Sequence, residues 1–181
     1  VPVALVEKGK NAGSHLLSGA MMNPSAMKKL FPDVSEEDWP TYGAVEKDTV
    51  YLLPNSKRAV RLRPIPPPFK NHGNHVTSVA QLGRWMAQQA EEAGVYILSE
   101  TSGYKLLVED GRVVGVRSGD KGRGRDGQEL SNFEPGSDLI AKATVLAEGT
   151  AGHLTGAAIR HFEIGSEDPQ QWELGVKEIW E

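Results

Sequence analysis

Two short apolar runs limit what this chain can fold into: Val3-Ala4-Leu5-Val6, which ends at Glu7, and Val95-Tyr96-Ile97-Leu98. The first is unbroken in apolar character and reads as a buried strand of an α/β sheet, covered on both faces. The second follows directly on the strongest helix signal. Ser78 and Gln81 form a capping box, and Gly94 supplies the stop. Between them Val79, Leu82, Met86, Ala90 and Ala93 recur at helical spacing, with Trp85 widening the stripe. A helix running into a strand, preceded by a strand ending in an acid, is the grammar of an α/β fold.

The remaining segments fit around that frame. Asn23-Pro24 opens a short helix over Ala26 to Leu30, which Pro32 stops. Residues 33–49 are acidic and irregular. Val50 to Leu53 and Ala59 to Leu62, joined by Pro54-Asn55-Ser56, predict a β-hairpin, and Pro64 to Phe69 an extended arm. Asp110-Gly111 between two apolar runs predicts a second hairpin. Residues 118–137 read as a Gly-rich loop. Leu139 to Ala141 and Thr144 to Ala147 read as strands, followed by a helix near Leu154 to Phe162. The order predicts a mostly parallel sheet with an inserted β-meander and a β-rich lobe over 43–75.

Composition excludes several classes. The 181 residues carry 20 basic and 24 acidic side chains, a net charge of −4, which argues against a nucleic-acid binder. There is no cysteine, so disulfides, thiol catalysis and iron–sulfur ligation are excluded from this stretch. No apolar run approaches the ~20 residues that span a bilayer, and no signal peptide opens the chain. There is no initiator Met, and the chain starts inside a strand-like run. It therefore reads as a piece of something larger.

Five features carry candidate chemistry. Glu7, at the end of a strand, stands where a dinucleotide-binding fold places a carboxylate for a ribose diol. Gly122-Arg123-Gly124-Arg125-Asp126-Gly127 matches G-x-G-x-x-G literally. No helix follows it, so it reads as a loop and not as a phosphate site. Thr144 to His153 is a strand running into a small-residue turn and then a helix, where backbone amides could approach a phosphate or a flavin edge. A plain strand-to-helix turn is the commoner reading of such a segment. Asn71-His72-Gly73-Asn74-His75 has two histidines three apart but no nearby acid, and suggests a loop clamp over a metal site. The 50–69 hairpin combines Val50, Tyr51, Leu52, Leu53, Val60, Leu62, Ile65 and Phe69 with Lys57, Arg58, Arg61 and Arg63. Such a segment could meet a lipid interface while its cations meet headgroups, or simply cover a core.

Together these segments resemble the electron-transfer flavoprotein:ubiquinone oxidoreductase family. The resemblance rests on Val3 to Lys8, on Gly13-Ser14-His15-Leu16-Leu17-Ser18-Gly19-Ala20, on Asn23-Pro24 and on Leu30-Phe31-Pro32. It continues through Asn71 to Asn74, Trp85 to Glu91, Gly119-Asp120, Ala147-Glu148-Gly149 and Gly175-Val176-Lys177-Glu178. Met21-Met22 and Ser78 depart from the family pattern, and Arg61 and Arg63 add charge to the hairpin.

The resemblance implies a glutathione-reductase-like FAD-binding domain over 1–42 and 76–165, lacking its first βα unit. Residues 43–75 and 166–181 would be part of a quinone- and membrane-binding domain. Glu7 would meet the adenosine ribose, and Lys8 beside it would be among the cofactor-binding residues. Gly13, Ser14, His15, Leu17, Ser18 and Gly19 would lie along the flavin and its phosphates. The backbone near Tyr104 and Lys105 would face the adenine, and Ala147, Glu148 and Gly149 would close over the dinucleotide. Val50, Tyr51, Leu52, Leu53, Val60, Leu62, Ile65 and Phe69 would touch the membrane.

The implied activity passes electrons from reduced electron-transfer flavoprotein through FAD to ubiquinone in a respiratory chain. A 4Fe-4S cluster would have its ligands outside this chain. The implied location is peripheral, on the cytoplasmic face of a bacterial inner membrane or the matrix face of the mitochondrial one. No residue here takes a catalytic or metal role, and the stretch alone is expected to be inactive and to bind FAD weakly. The alternatives are a geranylgeranyl reductase-like flavoenzyme and a non-enzymatic lipid-surface module.

Overall fold

The computed structural model describes residues 1–17, 19–150, 152–165, 171–176 and 178. In chain order its elements are β1 (Val3–Val6), β2 (Ala20–Met22), α1 (Ser25–Leu30), β3 (Thr41–Ala44), β4 (Tyr51–Asn55), β5 (Arg58–Arg61), β6 (His75–Thr77) and α2 (Val79–Glu92). They continue with β7 (Val95–Leu98), β8 (Gly103–Glu109), β9 (Arg112–Ser118), β10 (Lys121–Arg123), β11 (Glu129–Glu134), β12 (Asp138–Ile140) and α3 (His153–Phe162). Single 3₁₀ turns lie at Glu36–Asp38 and Pro67–Phe69. The chain divides into two units: Val1–Asn11 with Glu91–Leu174, and Ala12–Ala90 with Gly175–Glu181.

In the first unit β1 and β7 pair in parallel, from Val3 opposite Val95 to Val6 opposite Leu98. Both apolar runs are strands, as expected. The expectation that β1 is buried is corrected: Val3, Leu5 and Val6 are all exposed, because the sheet has only two strands. The mostly parallel sheet is corrected too. Every other ladder among the described residues is antiparallel; short turns join β4 to β5, β8 to β9 and β10 to β11, and longer connections bring β12 to β9 and β2 and β3 to β6.

The β8–β9 hairpin turns at Asp110 and Gly111, whose φ values of 47° and 74° are those of the two-residue turn that matches strand twist. β12 joins β9 to give the order β12-β9-β8. Helix α3 presents Leu154, Ala158 and Phe162, one residue per turn, to this meander. Leu154 and Ala158 pack with Leu106 in a core that Val108, Val113, Val116 and Leu146 surround.

Two readings in this unit change. Residues 118–137 are not all loop: β10 and β11 form an antiparallel hairpin. Arg123 organises it, pairing with Asp120 at 2.6 Å, donating to the Gly127 carbonyl at 2.9 Å and lying over the Phe133 ring at 4.7 Å. No apolar alternation announces such a hairpin, because one cation supplies its tertiary contacts. Thr144 to Ala147 is not in a ladder. Its burial alternates as in a strand, with Thr144 and Leu146 half-buried and Val145 exposed, but no described strand pairs with it.

The second unit centres on the antiparallel order β2-β6-β3. The acidic 33–49 stretch, expected to be irregular, contains β3 and a 3₁₀ turn. Its residues gain structure by bonding to β6, a partner distant in sequence. The 64–69 arm ends in a 3₁₀ turn and is not extended throughout. Helix α1 begins where Asn23 Oδ1 accepts from the Ser25 amide at 2.9 Å. Helix α2 begins where Ser78 Oγ accepts from the Gln81 amide at 3.4 Å. It stops at Gly94, with φ 88°. The β4–β5 hairpin forms as expected.

Leu154 is 4% exposed at the centre of the first unit's core. Leu154→Ala should destabilise the protein by about 2–5 kcal/mol in urea denaturation, the cost of lost burial plus a cavity.

Candidate functional site

Three places gather the candidate residues. The first is the end of β1. The Glu7 amide donates to the Leu98 carbonyl at 3.0 Å, and the Glu7 carbonyl accepts from Thr101 at 2.9 Å. The Glu100 amide donates to the Gly9 carbonyl at 3.0 Å. These bonds stitch the loop after β1 to the turn after β7. Glu7 is half-buried, and its Oε1 accepts from the Gly9 amide, closing a tight turn in which Gly9 is buried. Its Oε2 has no bond among the described residues and is the acceptor available to a hydroxyl donor. Lys8 beside it is exposed.

The second place is the N-terminus of α3. The first amides of a helix lack intrahelical partners, and here a side chain from the preceding turn satisfies two of them. Glu148 Oε1 accepts from the Leu154 amide at 3.2 Å, and Oε2 from the Thr155 amide at 2.6 Å and the Thr155 hydroxyl at 2.9 Å. Partial burial pushes the Glu148 carboxyl up. The Thr155 and Leu154 amides, the Thr155 hydroxyl and the charge of His153 outweigh it and hold the pKa below its ordinary value. His153 Nε2 lies 3.1 Å from the Tyr104 carbonyl. The structure thus brings Glu148 and the Tyr104 backbone to one helix end. Ala147 and Gly149 adjoin Glu148, while Lys105 is an exposed residue of β8. The amides that a phosphate would need are already occupied by the chain's own carboxylate.

The third place, in the second unit, is the loop from Gly13, which packs on α2. A Cβ on Gly13 would stand 2.5 Å from the Ala80 carbonyl oxygen, and the φ of 81° also demands glycine. A Cβ on Gly83 would stand 3.3 Å from Gly13 Cα and from the Leu16 side chain. Ser14, His15 and Leu17 are exposed, as is Gly19, and Ser18 lies outside the described residues. Lys177, in the last segment of the resemblance, also lies outside them.

Sequence reasoning included His153 in its strand-to-helix motif without a role of its own, and missed Thr155 and Thr101. Glu148 precedes its partners by six and seven positions, which is not capping-box spacing, so no local pattern revealed it. It also left His75 without a role. His75 is buried, with Nδ1 3.1 Å from Thr41 Oγ1, Nε2 3.2 Å from Glu36 Oε2 and its ring against Trp39. Glu36 also binds Lys28 at 2.6 Å, and the Lys28 ammonium is the main cause that lowers its pKa.

His72 turns elsewhere, to the Glu46 carbonyl at 3.1 Å, and no metal-competent group of three ligands occurs among the described residues. The clamp reading of Asn71 to His75 is realised. Asn71 donates from its amide and its side chain to Asp48, and the 73–74 backbone bonds to Val45. The clamp ties the base of the 50–69 arm, whose β4 and β5 residues are all exposed. Among the described residues no helix is long and apolar enough to cross a membrane.

This mixed α/β chain shows sequence similarity to flavoprotein oxidoreductases over nearly its whole length. It is 39% identical over 99% of its residues to a protein of Acinetobacter baylyi named as a probable electron transfer flavoprotein-ubiquinone oxidoreductase. It is 40% identical over 99% to the mitochondrial electron transfer flavoprotein-ubiquinone oxidoreductase of Dictyostelium discoideum, and 39% identical over 99% to that of Mus musculus. It spans 32%, 30% and 30% of those proteins, so about a third of the length of the curated relatives it matches. No family model matches. Among solved structures, a geranylgeranyl bacteriochlorophyll reductase-like protein of Thermoplasma acidophilum aligns with TM-score 0.45 and 18% identity over 65% of this chain and 28% of that one. THI4 of Thermovibrio ammonificans aligns with TM-score 0.49 and 14% identity over 90% of this chain and 53% of that one.

The lowered Glu148 pKa sets a pH dependence. Its stabilisation is present above the unfolded carboxylate pKa and is lost as pH falls through the lower folded value. Glu148→Gln should therefore flatten the acid limb of stability against pH. At neutral pH it should cost about 0.5–1 kcal/mol, at the low end for a cap because the site is largely exposed. Urea midpoints across the acid range check both.

Proposed function

We propose that this chain forms part of the flavin-binding region of an enzyme that passes electrons from reduced electron-transfer flavoprotein, through FAD, to ubiquinone. One observation carries the reading: 37–40% identity, over almost all of the chain, to relatives named for that activity. With no cysteine in the chain, the ligands of a 4Fe-4S cluster would be supplied from outside it.

Two open backbone positions and one carboxylate acceptor support FAD. Gly19 and Gly149 have φ values of 86° and 75° and nothing within 4 Å of where a Cβ would stand, so their backbone lies open to a flat cofactor. In this reading Glu7 holds the adenosine ribose, its free Oε2 accepting from a ribose hydroxyl, and Lys8 lies beside the cofactor. Gly13, Ser14, His15, Leu17, Ser18 and Gly19 line the flavin and phosphates. The backbone near Tyr104 and Lys105 faces the adenine, and Ala147, Glu148 and Gly149 border the dinucleotide. When bound, the isoalloxazine supplies the electron carriage, while the chain binds and orients it.

The proposed division assigns 1–42 and 76–165 to a glutathione-reductase-like FAD domain and 43–75 with 166–181 to a quinone and membrane domain. Val50, Tyr51, Leu52, Leu53, Val60, Leu62, Ile65 and Phe69 make the membrane contact. Tyr51, Leu52, Leu53 and Phe69 are each more than half exposed, which supports this role. Val50, Leu62 and Ile65 are half-buried and contribute less. Membrane association is then peripheral, on the inner bacterial or mitochondrial membrane.

Glu7→Gln should raise the FAD dissociation constant about tenfold, the loss of a charge-assisted hydrogen bond worth ~1.5 kcal/mol. Flavin fluorescence titration measures it, and unchanged affinity would remove Glu7 from the site. The activity is tested on flavin-loaded protein with reduced electron-transfer flavoprotein and a soluble ubiquinone analogue. Absence of quinone reduction would overturn the reading.

A further inference from the structure

Strand β8 carries an irregularity near its start. Its ladder with β9 sets Gly103 opposite Ser118 and Lys105 opposite Arg117. Two steps along β8 meet one step along β9, so Tyr104 is the extra residue of a β-bulge and has no partner in the ladder. A bulge re-aims the residue it carries out of the regular pleat. Tyr104 is 63% exposed, while the residue before it packs on the core: a Cβ on Gly103 would stand 2.6 Å from Leu154 Cδ1.

The bulge is held from α3. His153, the first residue of that helix, places Nε2 3.1 Å from the carbonyl of Tyr104, 49 positions earlier in the chain. A carbonyl only accepts, so this ring nitrogen carries the proton and donates. That assigns the tautomer of the neutral ring. The helix end from which His153 projects is itself fixed. Glu148 binds the Leu154 and Thr155 amides, and a Cβ on Gly152 would stand 2.7 Å from Glu148 Oε2, so a larger residue there would push the carboxylate away. His153 and Tyr104 are both exposed, so their bond adds little to the core. What it decides is the conformation of the bulge. A peptide outside the ladder beside an exposed aromatic ring suits a planar, hydrogen-bonding base.

Resting on the flavin-binding reading above, in which the backbone near Tyr104 faces the adenine, we propose that His153 is a positioning residue for the adenosine end of the cofactor. Its Nε2–H holds the Tyr104 carbonyl and fixes the bulge in the orientation that receives the base.

The test is titration of the flavin-depleted protein with three probes: FAD, ADP, which carries the adenosine without the flavin, and FMN, which lacks the adenosine. His153→Ala should weaken FAD and ADP each about five-fold, the loss of one hydrogen bond, and leave FMN unchanged. His153→Gln sets an amide N–H near the place of Nε2 and should restore most of the affinity. The position is exposed, and urea midpoints confirm that both variants fold. Unchanged FAD and ADP affinity in His153→Ala would overturn the proposal. So would equal weakening of all three probes, which marks a general loss of the site. His153→Gln as weak as His153→Ala would overturn the assigned donor.

Heteronuclear NMR of the histidine-labelled, flavin-free protein gives a readout independent of binding. Neutral His153 should be the Nε2–H tautomer, and the Nδ1–H tautomer would overturn the contact itself. A protein that binds neither FAD nor ADP before substitution would overturn the flavin reading and this role with it, whatever the tautomer.

Discussion

Three backbone hydrogen bonds join the loop after β1 to the turn after β7, and the first candidate site depends on them. They run from Glu7 to Leu98, from Thr101 to Glu7 and from Glu100 to Gly9. Parallel strands cannot be joined by a tight turn, so everything between these two must leave and return before they pair. Once they pair, an acid near the start of the sequence is fixed at the rim of a strand end from the middle of it. The turn holds Glu7 Oε1 and leaves Oε2 without a bond among the described residues. A flexible surface carboxylate becomes an oriented acceptor.

The second unit shows the complementary device, an exposed arm held only at its base. Asp48 and Asn71 close it, with His72 and the 73–74 backbone bonding back to residues 45–46. An isolated two-stranded hairpin is marginal in water. Clamping its ends removes loop-closure entropy and lets its faces stay uncovered. The buried His75, between Thr41 and Glu36, ties β6 to β3 and to the 3₁₀ turn, so the clamp stands on a rigid base. An arm free of acids and exposed on both faces is then available to a surface outside the chain.

The elements legible in the residues were those whose signal is local. The capping box at Ser78, the stop at Gly94 and the Asp110-Gly111 turn each express a backbone preference that needs no distant partner. Helix α3 was legible for the same reason, its apolar residues lying one per turn. What escaped was non-local. β2, β3 and β6 are short, and β3 lies in an acidic stretch that becomes a strand only beside β6. The β10–β11 hairpin hangs on Arg123, whose contacts no periodicity encodes. Thr144 to Ala147 has a strand's alternation but no described partner, and alternation alone does not make a ladder.

The candidate site divides along the same line. Glu7 at a strand end, the glycines at 13, 19 and 149, and the acid-free charge of the arm follow from residue type and position, because backbone freedom and formal charge belong to the residue. The tertiary structure alone decided that Glu148 occupies the α3 amides, that His153 reaches the Tyr104 carbonyl, and that His72 and His75 turn to different partners. It alone sorted Leu52 with Val60 and Tyr51 with Arg61. Each of these is set by which strand or helix end arrives beside which, and that depends on pairings between residues far apart in the chain, which local spacing does not record.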